Sequence, residues 1–335
     1  MTLLQKIRKK LKREGKYLRR DIGHVLGMYK NFYRSARGAR ILIYHGICRR
    51  DHTRFNPIFL KVQTLEAHLK FYKKYFNIVS LDDYYEGKLS NDKFNVCLTF
   101  DDGFANNHKY VLPLLTKYQA PATFFITAIR DEGYDILWND FLSIAGKYGP
   151  ENIDFDDEPY RKGQFNRYIS TTSGMSLNEK LRSCDFREKA EMMNLLYPLA
   201  PFKTKKADED YWLQMTKDQI AELASSPFSG IGAHGYYHND LTSLSIFNAA
   251  KELSLSKQYL EGIIKKTVRS FAFPYGAYNA DVVEAAKKAE FTQLLAMDFL
   301  SPADVNDPVM RERFTVNPFI SVNNQMYATI MRSYD

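Results

Sequence analysis

Asp101 and Asp102 stand side by side in Thr99-Phe-Asp-Asp-Gly103, directly after the apolar run Val96-Cys-Leu-Thr-Phe100. The run reads as a buried strand. Carboxylates at such a strand end cost several kcal/mol unless a partner or a cation compensates them, so the pair points to chemistry. Successive side chains on a strand project in different directions. One carboxylate can therefore hold a cation while the other takes a proton from water.

The second signal is His234-Gly-Tyr-Tyr-His238, after Gly230-Ile-Gly-Ala233. Two histidines four apart face one point if the chain turns helically there. Two His and one Asp, with positions left open, make a catalytic divalent-metal site. The plainer alternatives are an Asp-Asp-Gly turn closing a strand and two packed histidines. Phe273-Pro-Tyr-Gly276 closes another apolar run, and its tight turn can aim a backbone N–H at a developing oxyanion.

These residues need a scaffold that gathers strand ends. Ile41-Leu-Ile-Tyr-His45, Asn77–Ser80, Val96–Phe100, Pro121–Thr127, Gly230–Ala233, Ser270–Phe273, Gln293–Ala296 and Arg313–Val316 read as strands. Helical periodicity between them, as at 65–76, 110–117 and 216–225, predicts a parallel α/β sheet or barrel with functional residues at the carboxyl ends of its strands. Residues from about 131 to 212 break the rhythm and are expected to be a helical insertion beside the barrel mouth.

The chain of 335 residues carries a net +8. Residues 1–40 hold 13 Lys/Arg against Glu14 and Asp21, so the body is slightly acidic. No basic stripe or base-stacking motif appears in the body, which argues against nucleic acid as a partner. In residues 1–38, Leu4, Ile7, Leu11, Leu18, Ile22, Val25, Leu26 and Tyr29 share one helical face among many Lys and Arg. A basic amphipathic segment of this kind suits an anionic membrane surface, here expected to be met by residues 1–35; a solvated helix on the body is the plainer alternative. Cys48, Cys97 and Cys184 form neither a disulfide framework nor a zinc-finger spacing. With no run long enough to span a bilayer and no signal-peptide core, the expected location is cytoplasmic, peripheral at the inner face of the membrane.

Together, Thr99–Gly103, His234-x3-His238 and Arg269-Ser-Phe-Ala-Phe-Pro-Tyr-Gly276 resemble the first three motifs of the polysaccharide deacetylases, the NodB-homology family or carbohydrate esterase family 4. The resemblance spans about residues 40–320 apart from the insertion. It implies a distorted (β/α)7 barrel over 39–330 and a metal-dependent hydrolase of acetylated sugars. By position it implies Asp101 as base, Asp102, His234 and His238 as metal ligands, and the Tyr275 N–H as oxyanion donor. Ile43-Tyr-His-Gly-Ile47 resembles the early Tyr-His motif of the branch acting on poly-N-acetylglucosamine, which makes His45 the expected acid. Two departures stand out. Gly235 replaces the usual Ser or Thr after the first metal histidine. Ala272 occupies the place of an arginine that pairs with the catalytic Asp, for which Arg313 is the preferred substitute and Arg269 the other choice.

Trp138, Tyr237 and Pro274 are the expected sugar contacts, with core packing as the alternative for the two aromatics. His24, His52, His68 and His108 are read as structural or exposed. One divalent ion is expected, with Zn favoured and Fe, Co or Ni also suiting the ligand set. The expected reaction is removal of an N-acetyl group from an amino sugar of a polysaccharide, glycolipid or lipid-linked precursor. Its rivals are a deformylase, O-acetyl esterase or other amidase on the same site, and a non-catalytic carbohydrate-binding barrel. A glycosidase fits less well, because its two carboxyl groups stand about 5 Å or more apart across a sugar. The sequence leaves the oligomeric state open.

Overall fold

The computed structural model describes residues 3–334, and the side chains of Leu3, Leu4, Lys6 and Ile7 lie outside the described residues. Its centre is a ring of seven parallel strands: β1 (Ala39–Tyr44), β2 (Phe94–Phe100), β3 (Ala122–Ile126), β4 (Ser229–Ala233), β5 (Ser270–Ala272), β6 (Gln293–Ala296) and β7 (Met310–Thr315). Neighbours pair in chain order from β2 to β7, and β1 closes the ring between β7 and β2, with Ile41 opposite both Arg313 and Cys97. A further strand, Phe76–Val79, takes the first half of one β2 edge and leaves the second half to β3. That shared edge distorts the barrel. The architecture is the expected distorted (β/α)7 barrel.

Alternation along each strand sorts the side chains. Leu42, Val96, Leu98, Phe124, Phe271 and Leu294 point outward into the main core beneath the helices. Ile41, Cys97, Phe125, Ala272 and Leu295 point inward and plug the barrel. Phe125 fits there because Gly232 is beside it; a Cβ at Gly232 would lie 2.4 Å from the ring. Further along the chain, beyond this plug, stand His45, Asp101, His234 and Tyr275.

Between β3 and β4, where a helical insertion is expected, the chain forms both helices and strands. This segment contains helices Trp138–Tyr148, Leu177–Arg182 and Phe186–Leu196, but also a three-stranded antiparallel sheet of Asn152–Phe155, Glu158–Lys162 and Tyr168–Ser170. Alternation of Ile153 and Phe155 with polar neighbours, and Tyr160 and Tyr168 opposite, bury one face of this sheet against the insertion's own apolar cluster. The acidic run Asp154–Glu158 hides that pattern, because its charges lie on the turn and the outer face. The last barrel strand also starts earlier than expected, at Met310, which puts Arg313 inside the barrel. At the N-terminus, helices Leu3–Val25 and Lys30–Ser35 precede β1. No helix among the described residues is long and apolar enough to cross a membrane.

Candidate active site

The carboxyl ends of the strands enclose a cavity of about 230 Å³ lined by His45, Asp101, Asp102, His234, His238, Tyr275 and Arg313, among others. They arrive from five strands: His45 follows β1, Asp101 and Asp102 follow β2, His234 and His238 follow β4, Tyr275 follows β5, and Arg313 stands in β7.

Asp102 Oδ1 lies 3.4 Å from His234 Nε2 and 3.3 Å from His238 Nε2, and all three residues are buried. Their ligand atoms fall within 4.8 Å of one another. His234 Nδ1 is 2.8 Å from the Ala272 carbonyl. An imidazole that donates there keeps its Nε2 lone pair for a cation. The donor set and this tautomer fit a divalent ion. Burial by itself pushes the Asp102 carboxyl up, yet the two histidines hold it well below the usual carboxylate range.

Asp101 is held differently. Arg313 donates from Nη1 to Oδ1 at 2.7 Å and from Nη2 to Oδ2 at 2.9 Å, a bidentate pair in which both residues are buried. Burial raises the Asp101 carboxyl, and the guanidinium outweighs it, so the group stays ionised below its ordinary range. Of the two candidate arginines it is Arg313 that reaches Asp101, because Arg269 pairs with Asp82 at 2.9 Å. Ala272 lies in the barrel plug next to that space.

Three of these residues have left-handed backbone: Asp102 (φ 75°), His238 (φ 58°) and Tyr275 (φ 59°). Non-glycine residues adopt this conformation at a cost of about 1–3 kcal/mol and cluster at functional sites when they do. Gly235 shares it (φ 79°), and a Cβ there would lie 3.1 Å from Glu252 Oε1. The Ser or Thr expected at that position is replaced in effect by Glu252, which is buried and accepts from Tyr237 N, Asn239 N and Asn239 Nδ2. His45 is half-buried at the cavity wall.

The chain matches the family profile described as polysaccharide deacetylase over residues 88–149 and 198–294, two blocks that flank most of the insertion. The chain belongs to the polysaccharide deacetylase family. Members of that family are hydrolases acting on carbon–nitrogen amide bonds, and membership supports de-N-acetylation in general. The fold is similar to that of a Streptococcus pyogenes deacetylase, PplD, in complex with acetate, at 16% identity over 88% of this chain and 99% of that one, with a TM-score of 0.57. It is similar also to IcaB from Ammonifex degensii, at 16% identity over 88% and 98% of the chains and a TM-score of 0.54. The polysaccharide deacetylase BC0361 from Bacillus cereus gives 16%, 88%, 69% and 0.55. No curated protein matches the chain in sequence.

The proposed sugar contacts are placed otherwise than expected in this deacetylase-family chain. Trp138 is only 2% exposed and turns its Nε1–H toward the His238 carbonyl at 3.4 Å, so it supports the loop that carries His238 and offers no ring face to a sugar. Tyr237 stacks on Phe186 with ring centres 4.4 Å apart, which occupies one of its faces. Pro274 is buried in the turn that carries Tyr275.

Several residues at the site had no sequence signal. Lys189 of the insertion is buried, donates to Asn239 Oδ1 at 2.5 Å and to the Cys184 carbonyl at 3.0 Å, and lies 5.0 Å from the Trp138 ring centre. Arg182 pairs with Asp240 at 3.1 Å and covers the Tyr275 ring at 4.7 Å. Thus the insertion clamps the loop that carries His238. Asp140 is buried beside Asn56 Nδ2 at 3.0 Å, and burial, then the Asp102 charge, push its carboxyl well above the usual range.

Proposed function

We propose that the chain removes the N-acetyl group from an amino sugar of a polysaccharide, glycolipid or lipid-linked glycan precursor. The observation that carries this reading is the division of labour between adjacent carboxylates in one cavity. Asp102 converges with His234 and His238, while Asp101 is set apart by a bidentate arginine.

Asp102, His234 and His238 would hold one divalent ion, with Zn favoured and Fe, Co or Ni suiting the same donors. Bound there, the ion supplies Lewis acidity toward the acyl oxygen and lowers the pKa of water. Asp101 takes the proton of the attacking water as that water adds to the acetamide carbon. Arg313 keeps Asp101 ionised and fixes its plane. The Tyr275 backbone N–H faces the developing oxyanion. His45 then delivers a proton to the sugar nitrogen as the carbon–nitrogen bond breaks, giving acetate and a free amine. The cavity, at about 230 Å³, is smaller than most ligand pockets and suits a single acyl arm, with the glycan lying across the mouth.

The test is acetate release from N-acetylated amino-sugar oligomers, with N-formyl and O-acetyl analogues alongside. Release from the N-acetyl substrate that disappears in Asp101→Asn, with the metal retained, is the expected result. Near-normal turnover by that variant removes Asp101 from its role. Preference for the formyl or ester analogue reassigns the bond.

A further inference from the structure

The N-terminal helix Leu3–Val25 is fastened to the barrel through the face that carries Tyr17, Arg20, Asp21 and His24. Tyr17 donates to the Tyr334 carbonyl at 2.9 Å, Asp21 accepts from Ser321 Oγ at 2.6 Å and from Asn324 Nδ2 at 3.1 Å, and the Arg20 guanidinium lies 3.9 Å from the Tyr327 ring centre. His24 completes this face against Tyr33 and Phe71. At 3.6 residues per turn, Leu11, Leu18, Ile22 and Val25 form a second face about a third of a turn away. The helix does not bury that face: these residues are 66%, 63%, 53% and 84% exposed. Leu26 and Met28 prolong the apolar surface past the helix end, at 70% and 72%. Arg8, Lys12, Lys16 and Arg19 form the third face, all exposed.

We infer that residues 8–28 are a docking surface for an anionic lipid membrane, and that it seats the barrel with the site mouth toward the lipid. Charge selects the occupant. A second copy of this helix would bring two sets of cations together, and a nucleic acid would leave the apolar stripe in water. An anionic bilayer satisfies both faces, accepting the stripe among acyl chains and the cations at its headgroups.

The orientation follows from where the helix is fastened. Asp21 holds Ser321, in the loop that leaves β7 just after Arg313 and Thr315, both of which line the cavity. Phe319, two residues before Ser321, is 62% exposed and its ring lies 5.6 Å from that of His52. The loop of His52 continues to Ile58, which reaches the cavity. A run of contacts therefore leads from the helix through Ser321, Phe319 and His52 to Ile58 at the mouth of the site. A glycan carried on a lipid is the substrate this placement serves; that consequence rests on the deacetylase reading, whereas the docking does not.

The experiment is co-sedimentation of the full chain with phosphatidylcholine vesicles, with and without phosphatidylglycerol, over a range of salt. Binding is expected to need the anionic lipid and to weaken as salt rises. The double variant Leu18→Asp/Ile22→Asp, at exposed positions, is expected to lower vesicle affinity about tenfold or more, and Lys12→Gln/Lys16→Gln/Arg19→Gln to do likewise while flattening the salt dependence. Phe319→Trp reports orientation, since the native Trp138 and Trp212 are buried; brominated lipid should quench it. No binding to anionic vesicles at low salt, binding indifferent to the aspartates, or self-association lost in that variant in place of vesicle binding overturns the docking. An unquenched Trp at 319 on bound protein overturns the orientation. Loss of acetate release from soluble and lipid-carried substrates alike would fault the deacetylase reading and leave the vesicle results standing.

Discussion

Arg313 holds both carboxylate oxygens of Asp101, at 2.7 and 2.9 Å, by reaching beneath β1 from β7 to the end of β2. The two strands are not neighbours; Ile41 and Ile43 of β1 lie between them in register. Asp101 and Arg313 are thus joined across the barrel interior, beside the Phe125–Ala272 plug. Removing one partner leaves a buried, unpaired charge. Arg313→Met is expected to cost about 3–5 kcal/mol of stability, read as a shift in urea midpoint. Arg313→Lys keeps the charge and loses the fork, so kcat should fall at least about tenfold with a smaller loss of stability. Equal turnover in Arg313→Lys and wild type would deny the fork any part in holding Asp101.

The Asp102, His234 and His238 group should bind one divalent ion per chain. Asp102→Ala and His234→Ala should each abolish stoichiometric metal in elemental analysis of purified protein, whatever the turnover. A chelator should stop acetate release, and adding back metal should restore it. A chelated enzyme that still turns over would remove the ion from the reaction.

Gly235 tests the support of the loop between His234 and His238. Ala at a left-handed position, with its Cβ 3.1 Å from Glu252 Oε1, is expected to destabilise the fold by about 1–2 kcal/mol. Because the strained segment connects His234 to His238, metal affinity should fall as well. Unchanged affinity together with lowered stability would mean that the loop's anchoring by Glu252 does not extend to the ligands.

Lys189 supplies a pH dependence with a definite sign. Burial pushes its ammonium down to about 8 from an ordinary 10.5, against the pull of Glu252. Between those values the unfolded chain binds more protons than the folded one, so stability rises with pH there. Below pH 8 the cost of the buried charge is present in full; above about 10.5 it is gone. Relative to Lys189→Met, the wild type should gain up to about 3 kcal/mol from pH 7.5 to 10.5, measured by urea unfolding of both proteins. A constant difference across that window would mean that Lys189 stays charged without penalty.

Much of the barrel was legible because alternation and strand-end motifs are local signals. Val96–Phe100 announces its strand by composition, and Asp101 follows wherever the strand ends. The Asp102–His234–His238 convergence was legible for the same reason, since both motifs follow strands that a parallel barrel must bring to one rim. Arg313 was harder: its contact depends on closure between β7 and β1, which pairs residues 272 positions apart, Ile41 and Arg313. Trp138 misled because an aromatic beside a site has the same sequence signal whether it faces a ligand or supports a loop; only its 2% exposure separates the two. Lys189 and Glu252 carry no motif at all. Each sits among apolar helix positions, and their role arises from the tertiary meeting of Phe186–Leu196 and Ile246–Ile264 at Asn239.

The left-handed backbone at Asp102, His238 and Tyr275 has a consequence for anyone who tries to make this chain more robust. Glycine takes that conformation freely, so a selection for heat tolerance alone would be drawn to these three positions among the rest. At Asp102 and His238 it would remove two side chains of the group that could hold a metal ion; at Tyr275 it would loosen the turn. Optimising the fold without assaying the chemistry would lead toward a sturdier barrel with an idle mouth.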